Sequence, residues 1–114
     1  MFRESLRGFL DIVRQGHPET PLLVASPIIR PDAESTTNRL GATLADLRKV
    51  MEEVVHERID GGDDRLRLVE GFPLVTEEQL ADGIHPNDEG HRALAAALGP
   101  AVRALVDDFD REAA

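Results

Sequence analysis

Apolar side chains recur along this chain in two rhythms, one helical and one of short unbroken runs. Phe2, Leu6, Phe9, Leu10 and Val13 fall at helical spacing and predict an amphipathic helix that Gly16 and Pro18 end. Leu22-Leu23-Val24-Ala25 is a continuous apolar run after Pro21. Without polar alternation it reads as a strand buried on both faces. Pro27 and Pro31 then force an extended loop through Ile28, Ile29 and Arg30. Leu40, Leu44, Leu47, Met51 and Val54 predict a second amphipathic helix, capped at Thr37 or Asn38. Beyond the Gly61-Gly62-Asp63-Asp64 turn, Leu66-Arg67-Leu68-Val69 reads as a second strand, and Arg67 points to a less buried face at a sheet edge. Thr76 and Gln79 have the spacing of a capping box. Leu94, Leu98, Val102, Leu105 and Phe109 predict a last helix, kinked or restarted at Gly99-Pro100. The acidic stretch 107–114 is expected to fray.

Helix-length segments between short buried strands imply an α/β fold with parallel pairing through right-handed crossovers. Two strands are few for such a sheet, which normally covers several strands on both faces. The elements therefore predict part of a larger α/β domain, spanning residues 1–106, followed by the tail.

Composition narrows the function classes. The chain has 114 residues and a formal net charge of -9, with no basic stripe to engage a phosphate backbone. Neither nucleic acid nor a membrane surface is an expected partner. The absence of cysteine excludes disulfides and thiol catalysis. No apolar run reaches membrane-spanning length, and the amphipathic Met-Phe-Arg-Glu-Ser-Leu-Arg start lacks a signal core, so the expected compartment is the cytoplasm.

The densest polar run is Asp82-Gly83-Ile84-His85-Pro86-Asn87-Asp88-Glu89-Gly90-His91, between the second strand and the last helix. A carboxylate three residues before a histidine can bond its Nδ1–H within one turn. That bond fixes the tautomer, turns Nε2 outward and stabilises the imidazolium. His85 is thus a candidate general base held by Asp82. Pro86 holds His85 extended, and Asn87 or Asp88 is placed to cap the last helix. A loop followed by a helix cap accounts for the same residue types without chemistry.

The run Asp82, His85 and Pro86 resembles block V of the SGNH/GDSL hydrolases, Asp-x-x-His-Pro ahead of a final helix. Asn87 and Gly90-His91 are similar to common continuations. The upstream order of helix, Pro18 turn, strand, Ser26-Pro27, long helix and strand is similar too, over roughly residues 2–106. The resemblance implies the C-terminal part of a flavodoxin-like three-layer α/β/α domain and an ester hydrolase acting on an acylated small molecule or carbohydrate, without cofactor or metal. It carries over Asp82 and His85 as two members of a catalytic triad. The family's Gly-Asp-Ser nucleophile block and its oxyanion glycine and asparagine have no counterpart in this chain.

Other serines do not fill the gap. Ser5 reads as a solvated helix position, Ser26 as a strand end beside Pro27, and Ser35 as a loop residue that helps cap the next helix. No Gly-x-Ser-x-Gly elbow is present. His91 and Asp88 with Asp82 and His85 offer zinc-ligand types, but not at a recognised spacing, and Asp88 is accounted for as a cap. His17 and His56 read as surface residues, and Asp63-Asp64 lacks the further acidic positions of a calcium loop. Two expectations follow: an enzyme part that supplies an Asp–His pair, or a non-catalytic module. In either, an exposed sheet edge invites self-association or complementation by another half.

Overall fold

A computed structural model describes residues 1–113, with side chains as far as Asp110. The element order is α1 (Phe2–Gly16), β1 (Leu22–Ala25), α2 (Leu44–Asp60), β2 (Leu66–Val69), two single 3₁₀ turns (Phe72–Leu74 and Glu77–Gln79) and α3 (Asp88–Ala113). Among the described residues, β1 and β2 form one parallel two-stranded sheet with Leu22 opposite Leu66 and Ala25 opposite Val69. The predicted helix–strand–helix–strand–helix order and the parallel pairing are both present. No helix among the described residues is long and apolar enough to cross a membrane.

The core lies where α2 packs on β2 and α1 packs on α2. Leu66, Val54 and Val55 are fully buried, and Leu10, Val75, Leu80, Leu105 and Phe109 complete the interior. Helix α1 turns Leu10 inward but leaves Phe9 60% and Ile12 68% exposed, so its apolar face is wider than the surface that it covers. Salt bridges hold α1 in place: Arg14 clasps Asp63 through two hydrogen bonds of 2.7 and 3.0 Å, and the guanidinium holds the Asp63 carboxyl below its ordinary pKa.

Four expectations need correction. The second helix starts at Leu44 rather than near Leu40, and Leu40 is 76% exposed. Thr43 is its cap, in a reciprocal box with Asp46, whereas the Asn38 side-chain Oδ1 accepts the N–H groups of Leu40 and Ala42. A complete capping box satisfies two helix donors at once and outcompetes the earlier candidates; Ser35 takes no part in it. Strand β1 is half-buried, with Ala25 exposed, instead of covered on both faces. Helix α3 continues through Pro100 without restarting. Gly99 and Pro100 lie on its exposed side, where water can serve the carbonyl that proline leaves without a donor. Finally, Asp107–Asp110 extends this helix, because Phe109 is buried with the Arg65 guanidinium 4.5 Å and that of Arg67 5.5 Å from its ring centre. Residue 114, the end of the expected tail, lies outside the described residues.

Polar clamps fix the loops that leave the carboxyl ends of the two strands. Ser26, 3% exposed, donates to Glu52 (2.6 Å) and accepts the Gly71 N–H (2.8 Å), tying the end of β1 to α2 and to the segment after β2. Arg48, 6% exposed, donates to the carbonyls of Pro27 (2.7 Å) and Ile28 (3.1 Å) and grips both Glu34 oxygens at 2.7 and 2.8 Å. Its guanidinium lies 4.9 Å from the centre of the Phe72 ring. The arginine holds the Glu34 carboxyl below its ordinary pKa. Buried polar groups of this kind are tolerable because each of their nitrogens and oxygens has a partner.

Candidate active site

The segment between Gln79 and Asn87 closes on itself. Ala81 N–H donates to the His85 carbonyl (2.7 Å), Asn87 N–H donates to the Gln79 carbonyl (2.8 Å), and Leu80 bridges Pro86 antiparallel. The predicted Thr76–Gln79 capping box is formed and squares the entry to this loop. Asn87, one of the two caps expected, caps α3: its Oδ1 accepts the Gly90 N–H at 2.9 Å, while its amide donates to the Glu78 carbonyl. Gly90 lets the loop lie against the helix, because a Cβ there would come within 2.4 Å of the Gln79 carbonyl oxygen. Gly83, at φ +80, supplies the left-handed residue that the tight turn requires.

Inside this turn the carboxylate of Asp82 serves His85 with both oxygens. Oδ1 accepts the backbone N–H groups of Ile84 (2.9 Å) and His85 (2.7 Å), and Oδ2 lies 2.7 Å from His85 Nδ1. The His85 N–H, then its imidazole, then the Ile84 N–H, push the Asp82 pKa far below the carboxylate range. Asp82 is therefore ionised and can only accept. Nδ1 must carry the proton of that bond, which leaves the Nε2 lone pair of a neutral ring free to take another. Asp82 and His85 thus meet as the sequence spacing predicts.

The pair is open: the side chain of His85 is 75% exposed and that of Asp82 55%. It sits on the loop that follows β2, and the Arg30 guanidinium, on the loop that follows β1, is close enough to feel the Asp82 charge. The site therefore gathers at the carboxyl ends of the parallel strands, where open α/β sheets place their ligand sites. Arg30 is held in a fork by Asp32 (2.8 and 3.3 Å), and its N–H by Glu34 (3.0 Å). Sequence reading missed the clamp formed by Arg48, Glu34 and Arg30; the only signal for it is an arginine on the inward side of an otherwise apolar helix stripe.

The remaining candidates fall elsewhere. Ser26 is occupied by Glu52 and Gly71, and Ser5 and Ser35 are exposed. His17 ends α1, and His56 and His91 are exposed on their helices. Asp63 is engaged by Arg14. Among the described residues, no three histidine or carboxylate side chains gather in an arrangement that could hold a metal.

No protein-family model matches the sequence, and no curated protein is significantly similar to it. Solved structures do match. A salicylyl-acyltransferase, SsfX3, from a tetracycline biosynthetic pathway superposes with a TM-score of 0.72 at 27% identity, over 91% of this chain and 32% of that one. A GDSL-like lipase from Bacteroides ovatus superposes with a TM-score of 0.76 at 21% identity, over 93% of this chain and 32% of that one. The chain thus spans about a third of the length of each structure that it matches. Its two parallel strands and flanking helices form part of an SGNH/GDSL-like α/β fold.

Proposed function

We propose that this chain supplies the Asp–His pair of an SGNH/GDSL-type serine ester hydrolase. The 2.7 Å contact between Asp82 Oδ2 and His85 Nδ1 carries the reading, together with the backbone N–H groups that keep Asp82 ionised. In the complete site, a serine from a segment outside this chain attacks the ester carbonyl. His85 Nε2 takes the serine proton as the Oγ–carbon bond forms, and returns it to the departing alkoxide as the acyl–oxygen bond breaks. Water then gives a proton to Nε2 as its oxygen bonds the acyl carbon, and Nε2 returns that proton to the serine Oγ as the acyl–Oγ bond breaks and the acid leaves. Asp82 remains ionised throughout and stabilises the imidazolium. The substrate class is an acylated small molecule or carbohydrate ester.

The likeness to SsfX3, named as an acyltransferase, supports acyl transfer as the shared chemistry. An alcohol in place of water at the second step converts the hydrolase into a transferase without a change in the dyad.

A chimera tests the proposal. Residues 1–110 replace the matched third of the Bacteroides ovatus GDSL-like lipase, and hydrolysis of p-nitrophenyl acetate is followed with and without His85→Ala. Loss of the base in a chimera of unchanged melting temperature should cost about 10³-fold or more. An unchanged rate in the variant means that His85 is no base, and a folded but inactive parent chimera supports a non-catalytic module.

A further inference from the structure

An aspartate carboxyl meets the next main-chain nitrogen most readily when glycine follows, because glycine has no Cβ to shield that nitrogen. The chain holds two such steps, Asp60–Gly61 and Asp82–Gly83, and both aspartates are exposed. The fold treats them differently. Asp60 is the last residue of α2, and the Gly61 N–H donates to the Glu57 carbonyl at 2.9 Å, so that nitrogen belongs to the helix ladder. The Gly83 N–H has no acceptor among the described residues, and a Cβ built on Gly83 would meet nothing within 4 Å.

The Asp82 carboxyl group is surrounded as a reacting acyl centre is. Oδ1 accepts two backbone N–H groups, from Ile84 at 2.9 Å and from His85 at 2.7 Å. Two such donors stabilise the charge that collects on this oxygen when the carboxyl carbon becomes tetrahedral. Oδ2 lies 2.7 Å from His85 Nδ1, so the oxygen that must leave has a proton donor in contact. The nucleophile is the neighbouring nitrogen, delivered by the chain itself. No group among the described residues donates a hydrogen bond to the Asp60 carboxylate.

We infer that Asp82–Gly83 is a self-modification site, at which the Gly83 nitrogen closes on the Asp82 side chain to form a succinimide and hydrolysis leaves isoaspartate. The Gly83 nitrogen bonds Cγ and gives its proton to solvent. His85 Nδ1 gives its proton to Oδ2, the Cγ–Oδ2 bond breaks, and hydroxide departs; the proton shed by Gly83 restores the ring. Hydroxide then adds to the main-chain carbonyl carbon of residue 82. The bond from that carbon to the Gly83 nitrogen breaks, and the nitrogen takes the proton of the new carboxyl group. Composition and charge are unchanged, but the main chain now runs through Cβ and Cγ and is one methylene longer, with the remaining carboxylate on Cα. The turn and the two-oxygen hold on His85 are built for the shorter chain, so the imidazole loses its partner. The same hydrogen bonds keep the Asp82 carboxylate ionised and less electrophilic, which makes this a slow ageing reaction and not a turnover. The inference uses only the turn and stands whether or not Asp82 and His85 act on an ester.

Ageing the intact chain at neutral pH and physiological temperature tests the site. Cleavage after arginine releases Asp60 between Arg58 and Arg65, and Asp82 between Arg67 and Arg92, so electron-transfer fragmentation reads isoaspartate at each position separately. In the folded chain, isoaspartate should accumulate at Asp82 about tenfold or more faster than at Asp60. In chain held unfolded by denaturant, where both are plain Asp–Gly steps, the two rates should come together. His85→Gln, which removes the Nδ1 donor, should slow the reaction at Asp82 by about tenfold or more and leave Asp60 unchanged. The wild-type comparison of folded with unfolded chain reads the effect of the turn without any substitution. Equal rates at the two positions in the folded chain, a preference for Asp82 that persists after unfolding, or an Asp82 rate not lowered by His85→Gln each overturn the inference.

Discussion

Asp82 holds His85 at both ends of the residue: one carboxylate oxygen takes the His85 backbone N–H at 2.7 Å and the other faces its Nδ1 at 2.7 Å. Main-chain and side-chain bonds share one carboxylate: the backbone N–H groups of Ile84 and His85 hold Asp82 in place, and the carboxylate in turn orients the imidazole. The arrangement is local, fixed by Gly83 and closed by the Ala81–His85 backbone bond. It therefore survives in a chain that spans about a third of the matched structures.

The first prediction concerns pH. The folded-state pKa of Asp82 lies below the unfolded value of about 3.9. Its contribution to the order of the turn is fully present above that unfolded value and is lost only as pH falls through the depressed folded value. Carboxyl carbon shifts followed by NMR should show Asp82 still ionised near pH 4, where an ordinary aspartate is half protonated. A midpoint at the ordinary value would mean that the three hydrogen bonds are not formed in solution.

The second concerns activity. The chain alone should not turn over p-nitrophenyl acetate beyond simple imidazole catalysis, because a base without nucleophile and oxyanion donors loses orders of magnitude in rate. Its 75% exposed imidazole lacks the dry, preorganised surroundings of a working site. Sustained turnover abolished by His85→Ala, with a serine labelled by a fluorophosphonate, would contradict this.

The third concerns the clamp at the strand ends. Arg48→Met takes the guanidinium from the Glu34 carboxylate, which keeps only the Arg30 N–H, and from the Pro27 and Ile28 carbonyls. Breaking such a pair costs about 3–5 kcal/mol, a large part of the total stability of a small domain. Denaturant unfolding should show a much lower midpoint, whereas Lys49→Met, at an exposed pair 4.0 Å long, should shift it little.

The fourth concerns Gly90. A methyl group there meets the Gln79 carbonyl oxygen and the Pro86 ring. Gly90→Ala should displace the loop and perturb the amide shifts of Ala81, His85 and Asn87 while α3 remains helical by circular dichroism. Unmoved loop resonances would show that the loop does not rest on the helix.

The site was legible in sequence because its geometry is local. Asp82, Gly83 and His85 sit within one turn, and the spacing alone brings carboxylate and imidazole together. The strands were legible because Leu22–Ala25 is a short apolar run and Leu66–Val69 is one interrupted only by Arg67. The start of α2 was not: Leu40 fits the apolar rhythm, but the Thr43–Asp46 box sets the boundary by hydrogen bonding, which periodicity does not register. Phe109 fits the apolar stripe of the last helix, but what holds the acidic stretch around it was hidden, because its partners, Arg65 and Arg67, are distant in sequence. The clamp of Arg48 on Glu34 was hidden for the same reason. A guanidinium buried among carbonyls becomes readable only when the loop that supplies them is in place.

Long-range ¹⁵N–¹H NMR of the neutral His85 ring tests the central claim most directly. The account predicts the Nδ1–H tautomer, with Nε2 unprotonated and free to act as a base, and a loss of that preference in Asp82→Ala. A neutral ring protonated chiefly on Nε2, or a tautomer unchanged by Asp82→Ala, would contradict a dyad in which Asp82 prepares His85 to take a proton.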